Sequence, residues 1–331
     1  MSVRSAETQP VSVQSGFLRR ILRFEEIGVL SALLLICAFL AVTTEQFLLP
    51  TNLLNVARQA SYVGIMAVGI VFVISQGDID ISVGAMFNLT TIAVAVAFEA
   101  GMPSWLGIPF GLLCGMLLGF VNGILMITLR IPAIIVTLGT MTVYRSLSLV
   151  LSNATTVASF PKDNWFFESL GGKLFGVIPA SVVIMAVTAV VGYIIYNHTI
   201  FGRQVCAIGA NAQAAKYSGI KVNAVRLATM MVSGAACGIA AIAILSFLGA
   251  ADPSVGSGSE MLVISAAIIG GASLSGGSGS ILGAVIGALI IAVIRNGLVL
   301  LGVSIYWQGF VTGATIIAAV ALDYIIKRRR S

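Results

Sequence analysis

His198-Thr-Ile-Phe-Gly-Arg203-Gln-Val-Cys-Ala-Ile-Gly209-Ala-Asn211-Ala-Gln-Ala-Ala-Lys216-Tyr-Ser-Gly219-Ile-Lys221 interrupts an otherwise oily chain with a polar, basic loop. Apolar stretches on both sides, residues 177–196 and 226–248, are long enough to cross a bilayer. A loop of this kind is a surface that a membrane-buried machine shows to a soluble partner.

Composition points the same way. Hydrophobic residues make up 58% of the 331-residue chain and charged residues 9%, against about 25% charged in a soluble domain. The mean hydropathy is +1.06. The apolar runs must be helices, because lipid offers the backbone no hydrogen-bond partners and the runs lack the polar/apolar alternation of a barrel. The fold class expected is therefore an all-α polytopic membrane protein. The net charge of +6 is not a nucleic-acid signal. Arg19, Arg20 and Arg23 precede the first span and Lys327, Arg328, Arg329 and Arg330 follow the last, which is an orientation signal. The four cysteines, Cys37, Cys114, Cys206 and Cys237, show no metal or CxxC spacing, so no metal site is expected.

Ten spans are expected, at residues 27–42, 60–75, 81–98, 106–129, 132–151, 177–196, 226–248, 261–272, 281–301 and 306–326. The eighth is too short to cross alone. Residues 1–24 read as a cytoplasmic tail, 25–326 as the transmembrane domain with a cytoplasmic loop at 198–225, and 327–331 as a basic cytoplasmic tail. With the N-terminus inside, Arg130, the 198–221 loop and the C-terminal cluster all fall in the cytoplasm. Trp105, Trp165 and Trp307 fall near the opposite interface, where indole rings settle.

Two spans share a pattern. Gly107, Gly111, Gly115 and Gly119 recur every fourth residue before Asn122-Gly123, and Gly279, Gly283 and Gly287 do so before Asn296-Gly297. Such stripes let helix backbones approach closely. By parity the two helices run in opposite directions, which suggests an inverted five-helix repeat.

Several segments carry polar groups where lipid is expected. Gln76-Gly77-Asp78-Ile79-Asp80-Ile81-Ser82-Val83-Gly84 reads as a broken helix whose polar turn lies at a gate or pathway, or as Asp80 and Ser82 capping the next span. Thr137 lies in the segment 131–140 that opens the fifth span. Arg145 further along it, and Arg295 in the ninth span, each need a partner that the sequence does not name. Residues 253–260 form a flexible stretch placed outside, and glycine-rich 270–279 a second one placed inside. No GxxxxGK[ST] phosphate loop occurs, and the single histidine, His198, leaves no triad or HExxH zinc motif. An enzyme is not expected.

Taken in order, Ile79-Asp80-Ile81-Ser82-Val83-Gly84, Pro132 to Thr140, Gly202-Arg203, Ala207-Ile208-Gly209-Ala210-Asn211, Ala214-Ala215, Ser218-Gly219-Ile220, Gly270 to Leu274 and Asn296-Gly297-Leu298 resemble the permease subunit of ribose and simple-sugar ABC importers. The resemblance covers nearly the whole chain after the tail. It departs at Gln76 and Asp78, where a small residue and a glycine are usual. It implies a pathway subunit of the bacterial inner membrane that binds no cofactor and uses ATP hydrolysed by a separate ABC ATPase subunit. It also implies a periplasmic sugar-binding protein and a second permease copy or paralogue in the lipid membrane. The loop at Gly202, Arg203, Gly209, Asn211, Ala214, Ala215, Ser218 and Gly219 is then the coupling element that sits in a groove of the ATPase. Asn211 can cap a short helix there and Gly219 can end it, with Ala212, Ala214 and Ala215 allowing close entry. Asp78, Asp80, Ser82, Thr137, Arg145 and Asn296 are candidate pathway or gate residues. The outer stretches 152–176 and 250–260 would meet the binding protein. Two alternatives stay open: a branched-chain amino-acid permease of a related branch, and a secondary transporter using Asp78, Asp80 or Glu99 as a proton site.

Overall fold

The computed structural model describes residues 25–304, and beyond them 307, 309–311, 313, 314 and 317. The expected tails at 1–24 and 327–331, and most of the expected span 306–326, lie outside the described residues. The regular structure of the described chain is mostly helical: α1 (Glu25–Thr43), α2 (Pro50–Ser75), α3 (Val83–Glu99), α4 (Gly107–Leu129), α5 (Ala133–Leu151), α6 (Ala180–His198), α7 (Ile200–Ala210), α8 (Ala212–Tyr217), α9 (Val222–Leu248), α10 (Ser259–Ile269) and α11 (Ile281–Leu300). The only strands among the described residues are the two-residue β1 (Lys173–Leu174) and β2 (Ile178–Pro179), paired antiparallel.

Among the described residues six helices, α2, α4 (with the 3-10 turn before it), α5, α6, α9 and α11, are long and apolar enough to cross a membrane. Helices α2 and α9 are the buried centre of the bundle, while no more than about a third of α4, α5 or α6 is buried. Leu113 and Leu117 on α4, and Val187, Val190 and Val191 on α6, present an apolar outer surface. In water such a surface would drive aggregation; against lipid tails it costs nothing. The chain is a multi-pass membrane protein.

Two expected boundaries move for physical reasons. Helix α2 starts ten residues before the expected 60, because Pro50 supplies a pre-set first turn and the polar Thr51, Asn52, Asn55, Arg58 and Gln59 hide its start from a hydropathy reading. The expected eighth span, 261–272, is α10, with 11 residues. At about 1.5 Å per residue it covers roughly half of the hydrocarbon thickness.

The register against α9 explains why α3 is short as well. Thr229 Oγ1 lies 2.7 Å from Gln76 Oε1, Ser233 Oγ lies 3.1 Å from Asp80 Oδ2, and Cys237 Sγ lies 3.4 Å from the Val83 carbonyl. The chain from Gln76 to Val83 therefore climbs about 12 Å along α9, with residues 76–82 non-helical before α3 begins. Helix α10 also begins in the interior. A Cβ on Gly84, in the first turn of α3, would stand 2.7 Å from the Gly256 carbonyl and 3.2 Å from the Glu260 amide nitrogen, so the N-terminal turns of α3 and α10 meet inside the protein.

The glycine stripes pack within the chain. Gly115 lies against the Gly234 carbonyl and Gly119 against that of Met230, while Gly234 and Gly238 on α9 lie reciprocally against the Gly115 and Gly111 carbonyls. Gly107 instead accommodates the Phe98 and Phe166 rings. In the second stripe Gly283 abuts Gly270 and Gly287 abuts Ala266 at α10, while Gly279 faces Ser75 and Val71 on α2.

Candidate functional site: a helical hairpin seated on two helix breaks

The polar loop folds as two helices. Thr199 accepts from the Gly202 amide at the start of α7, and Asn211 Oδ1 accepts from the amides of Gln213 and Ala214, at 3.0 and 2.9 Å, at the start of α8. Gly219 follows α8 with φ +85°, a left-handed geometry that suits glycine. The expected cap and stop of α8 are both present. On α8, Ala214, Lys216 and Tyr217 are exposed, as is Ser218 just after it, whereas Ala215 is buried in the protein's own core and Ala212 is half-buried. This corrects the expectation that three alanines line a docking face, because the short helix spends Ala215 on anchoring itself. Arg203 is exposed on α7. Gly202 and Gly209 are internal contacts, the first against the Tyr196 carbonyl and the second against the Ser75 carbonyl and the Gly277 nitrogen.

Above the hairpin lies the break between α2 and α3. The Gln76 amide donates to Asp78 at 2.9 Å, and Arg226 Nε stands 3.4 Å from the same carboxylate without hydrogen-bond alignment. Asp80 is fully buried; its carboxylate accepts from the amide and hydroxyl of Ser82 and from the Ser233 hydroxyl. The Ser82 hydroxyl thus donates to Asp80 and, with no side-chain cap bond to α3, does not cap the helix as expected. It also accepts from Asn122, whose own Oδ1 lies 3.0 Å from the Tyr144 hydroxyl. Thr137 accepts from the Ile81 amide at 3.2 Å. The break is a hydrogen-bonded crossroads of α4, α5 and α9, and its buried carboxylate has the donors that burial requires.

Arg145 finds its partner in Glu260 at 2.9 Å. The 250–260 stretch was expected to lie wholly outside, yet Glu260 is buried and sits in the first turn of α10. The arginine side chain keeps 37% exposure. Asn296 is in a different place: it exchanges amide hydrogen bonds with Asn52 at 2.8 and 3.0 Å, joining α11 to α2. Arg295 beside it is exposed. A cavity of about 380 Å³ is lined by Asp78, Arg130, Asn223 and Arg226 near the C-terminal end of α4 and the N-terminal end of α9. The stretches 152–176 and 250–260, both expected outside, are tied together by the Val157–Ala251 bridge and by the Thr156 hydroxyl on Asp252 at 3.0 Å.

Sequence reading picked out the polar loop and its short second helix, the 76–84 segment and Arg145, but gave no helix at Ile200–Ala210. It missed Glu260 as a partner, because the residue sits 115 positions away in a Ser/Gly-rich stretch, and it missed Thr229, Ser233 and Tyr144 because hydroxyls on apolar helices look like packing. Period-four spacing along α9 was the available signal for Thr229 and Ser233.

The chain is similar to the ribose import permease protein RbsC of Bacillus subtilis, with 38% identity over 90% of this chain and 92% of that protein. It is 37% identical to the D-allose transport system permease protein AlsC of Escherichia coli, over 89% of this chain and 90% of that protein. Against the autoinducer 2 import system permease protein LsrC of Yersinia pseudotuberculosis the identity is 33%, over 89% and 83%. No solved structure matches the chain. The family described as branched-chain amino acid transport system / permease component matches residues 52–320, a range that takes in both helix breaks, the hairpin and the Arg145–Glu260 pair, and the chain belongs to that family of transport permeases.

Proposed function

We propose that this chain is the permease subunit of an ABC importer for a monosaccharide of the ribose type, driven by a separate ATPase subunit and fed by a sugar-binding protein. The observation that carries the reading is the α7–α8 hairpin. It presents an exposed face of Ala214, Lys216, Tyr217 and Ser218 while its other face is locked into the bundle, so a partner's push there reaches the helix breaks. The ribose and D-allose import permeases it resembles along nearly their full lengths supply the sugar class. We place the protein in the bacterial inner membrane with ten spans and both termini in the cytoplasm. The outer stretches 152–176 and 250–258 meet the binding protein, and the second pathway subunit is another copy or a paralogue.

An inverted repeat fits the packing: α2, α3 and α4 correspond to α9, α10 and α11. The correspondence exchanges like for like, since α4 lies along α9 as α11 lies along α2, and α3 contacts α9 as α10 contacts α2. The pathway runs past Arg145. An arginine well inside a span and over a third exposed is stable only beside a partner chain or a polar lumen. Asp78, Asp80, Ser82 and Thr137 shape the break behind it.

The test is uptake of radiolabelled ribose into liposomes carrying the permease and ATPase, with binding protein outside and ATP inside. ATP-dependent uptake is expected. Uptake that ignores ATP and follows a proton gradient would replace this reading with a secondary transporter at Asp78 or Asp80. Competition by leucine rather than ribose would move the substrate to branched-chain amino acids.

A further inference from the structure

One residue of the hairpin, Gly209 at the α7–α8 joint, is wedged between two other segments of the chain at once. The Cβ position of Gly209 is already occupied from two sides, by the Ser75 carbonyl that ends α2 and by the Gly277 nitrogen in the α10–α11 connection. Those two groups are themselves joined, the Gly277 amide donating to the Ser75 carbonyl at 2.8 Å. The fit is reciprocal. Gly276, at φ +79°, could not carry a side chain either, since its Cβ would stand 2.8 Å from the Gly209 carbonyl oxygen and 2.9 Å from its Cα. Three backbones meet here with no side chain between them. Tyr196 backs the joint, its hydroxyl 2.8 Å from Ser75 Oγ and 3.2 Å from Cys206 Sγ on α7, and Phe72 on α2 stacks on Phe201.

Each partner of Gly209 leads to a different short helix, Ser75 forward to the start of α3 and Gly277 back to the end of α10. Ser75 leads into residues 76–82 and so to α3, through the bonds to Thr229, Ser233 and Asn122 described above. Gly277 leads through the 270–280 connection to α10, whose first turn holds Glu260. The two routes converge where the first turns of α3 and α10 meet at Gly84 and Gly256. A contact of backbone on backbone has no rotamer to absorb a displacement, so movement of α8 is passed on in full. We infer that Gly209 is the positioning residue through which the hairpin shifts both broken helices together, one contact driving two half-helix N-termini. This rests on the hairpin being the ATPase-docking element.

The test uses the assembled transporter, permease with ATPase in nanodiscs or liposomes and sugar-loaded binding protein. Gly209→Ala places a methyl into both backbones at once, and Gly276→Ala attacks the same joint from the other side. Gly28→Ala, which meets nothing within 4 Å on α1, is the control. In both joint variants the ATPase should co-purify and hydrolyse ATP, while stimulation by binding protein and sugar uptake fall by about ten-fold or more, within the 5–150-fold span of typical coupling. A Tyr217→Cys cross-link to the ATPase reports docking separately: absence of that cross-link in the otherwise unaltered transporter would sink the docking reading itself. A cross-linked complex in which Gly209→Ala keeps full stimulation and uptake would overturn the transmission role alone. Should the variants fail to assemble, amide exchange in the unaltered complex decides. Nucleotide binding should change protection of residues 75–79 and 275–279 together, and a change confined to one segment would refute the single-contact coupling.

Discussion

Replacing Arg145 by methionine should destabilise the protein more than neutralising its partner does, and the structure sets the size of the difference. The Glu260 side chain is 9% exposed and that of Arg145 is 37% exposed. Glu260 Oε2 already has no hydrogen-bond partner, so the arginine on Oε1 is the carboxylate's only ion-pair partner among the described residues. Removing one member of a buried pair costs about 3–5 kcal/mol because a buried charge is left uncompensated. With Arg145 partly open, the lower end applies, about 3 kcal/mol for Arg145→Met. Glu260→Gln leaves an arginine that can turn toward a polar surface and still meet a carbonyl, a loss of about 1 kcal/mol. The double variant should cost about 2 kcal/mol rather than the sum of about 4, a coupling of about 2 kcal/mol. Unfolding of the four proteins in mixed detergent and SDS micelles, followed by tryptophan fluorescence, measures all of these together. Equal losses for the two single variants, or a double variant equal to their sum, would refute the view that Arg145 exists to compensate a buried carboxylate.

Three further outcomes follow from contacts elsewhere. Gly115→Val drives a side chain into the Gly234 carbonyl and should cost about 1–3 kcal/mol by overpacking; Gly234→Val should behave alike, and a normal melting temperature for either would show that α4 and α9 are not in backbone contact. Thr229→Val removes the hydroxyl that serves Gln76 Oε1 inside the protein, a loss of about 1–3 kcal/mol for an orphaned buried acceptor, read in the same micelle titration against Thr142→Val on the exposed part of α5. The Ser254 hydroxyl and amide, then the Thr156 hydroxyl, hold the Asp252 carboxyl below its ordinary value. A lowered folded value means the stabilisation is complete above the unfolded value, about 3.9, and disappears as pH falls through the folded one. Exchange of the Val157 and Ala251 amides, corrected for intrinsic rates, should therefore quicken only below about pH 4, and a flat profile down to pH 2 would remove Asp252 from the outer clasp.

Much of this was open to sequence reading because the bilayer leaves the backbone few choices. Long apolar runs must be helices, and once the family resemblance implies a short helix in the loop, Asn211 is suited to start it and Gly219 to end it. Other features depend on contacts across the fold. Helix α10 looks like a failed span until the chain before it is seen to enter the interior non-helically. Asp80 resembles a helix cap, but Ser233 and Ser82 claim its oxygens, and which serine on α9 faces the break depends on a register that only packing sets. In sequence Gly209 is one of eight residues of the coupling loop that the family resemblance implies. Its role as a backbone seat follows from Ser75 and Gly277, which lie 134 positions before and 68 positions after it in sequence.

The glycine seam between α4 and α9 has a mechanical consequence. Side chains between helices act as cushions that change rotamer and let one rod slide past another. Along Gly115 and Gly119 against Gly234 and Met230 there is no cushion, and the Gly111 carbonyl is likewise notched into Gly238, while the Ile242 side chain rests against Gly111 itself. The two rods form a stiff chassis that can tilt but not shear. Spin labels at the exposed Leu113 and Phe247 should hold one separation through the whole transport cycle, making that pair the fixed ruler against which every moving part can be measured.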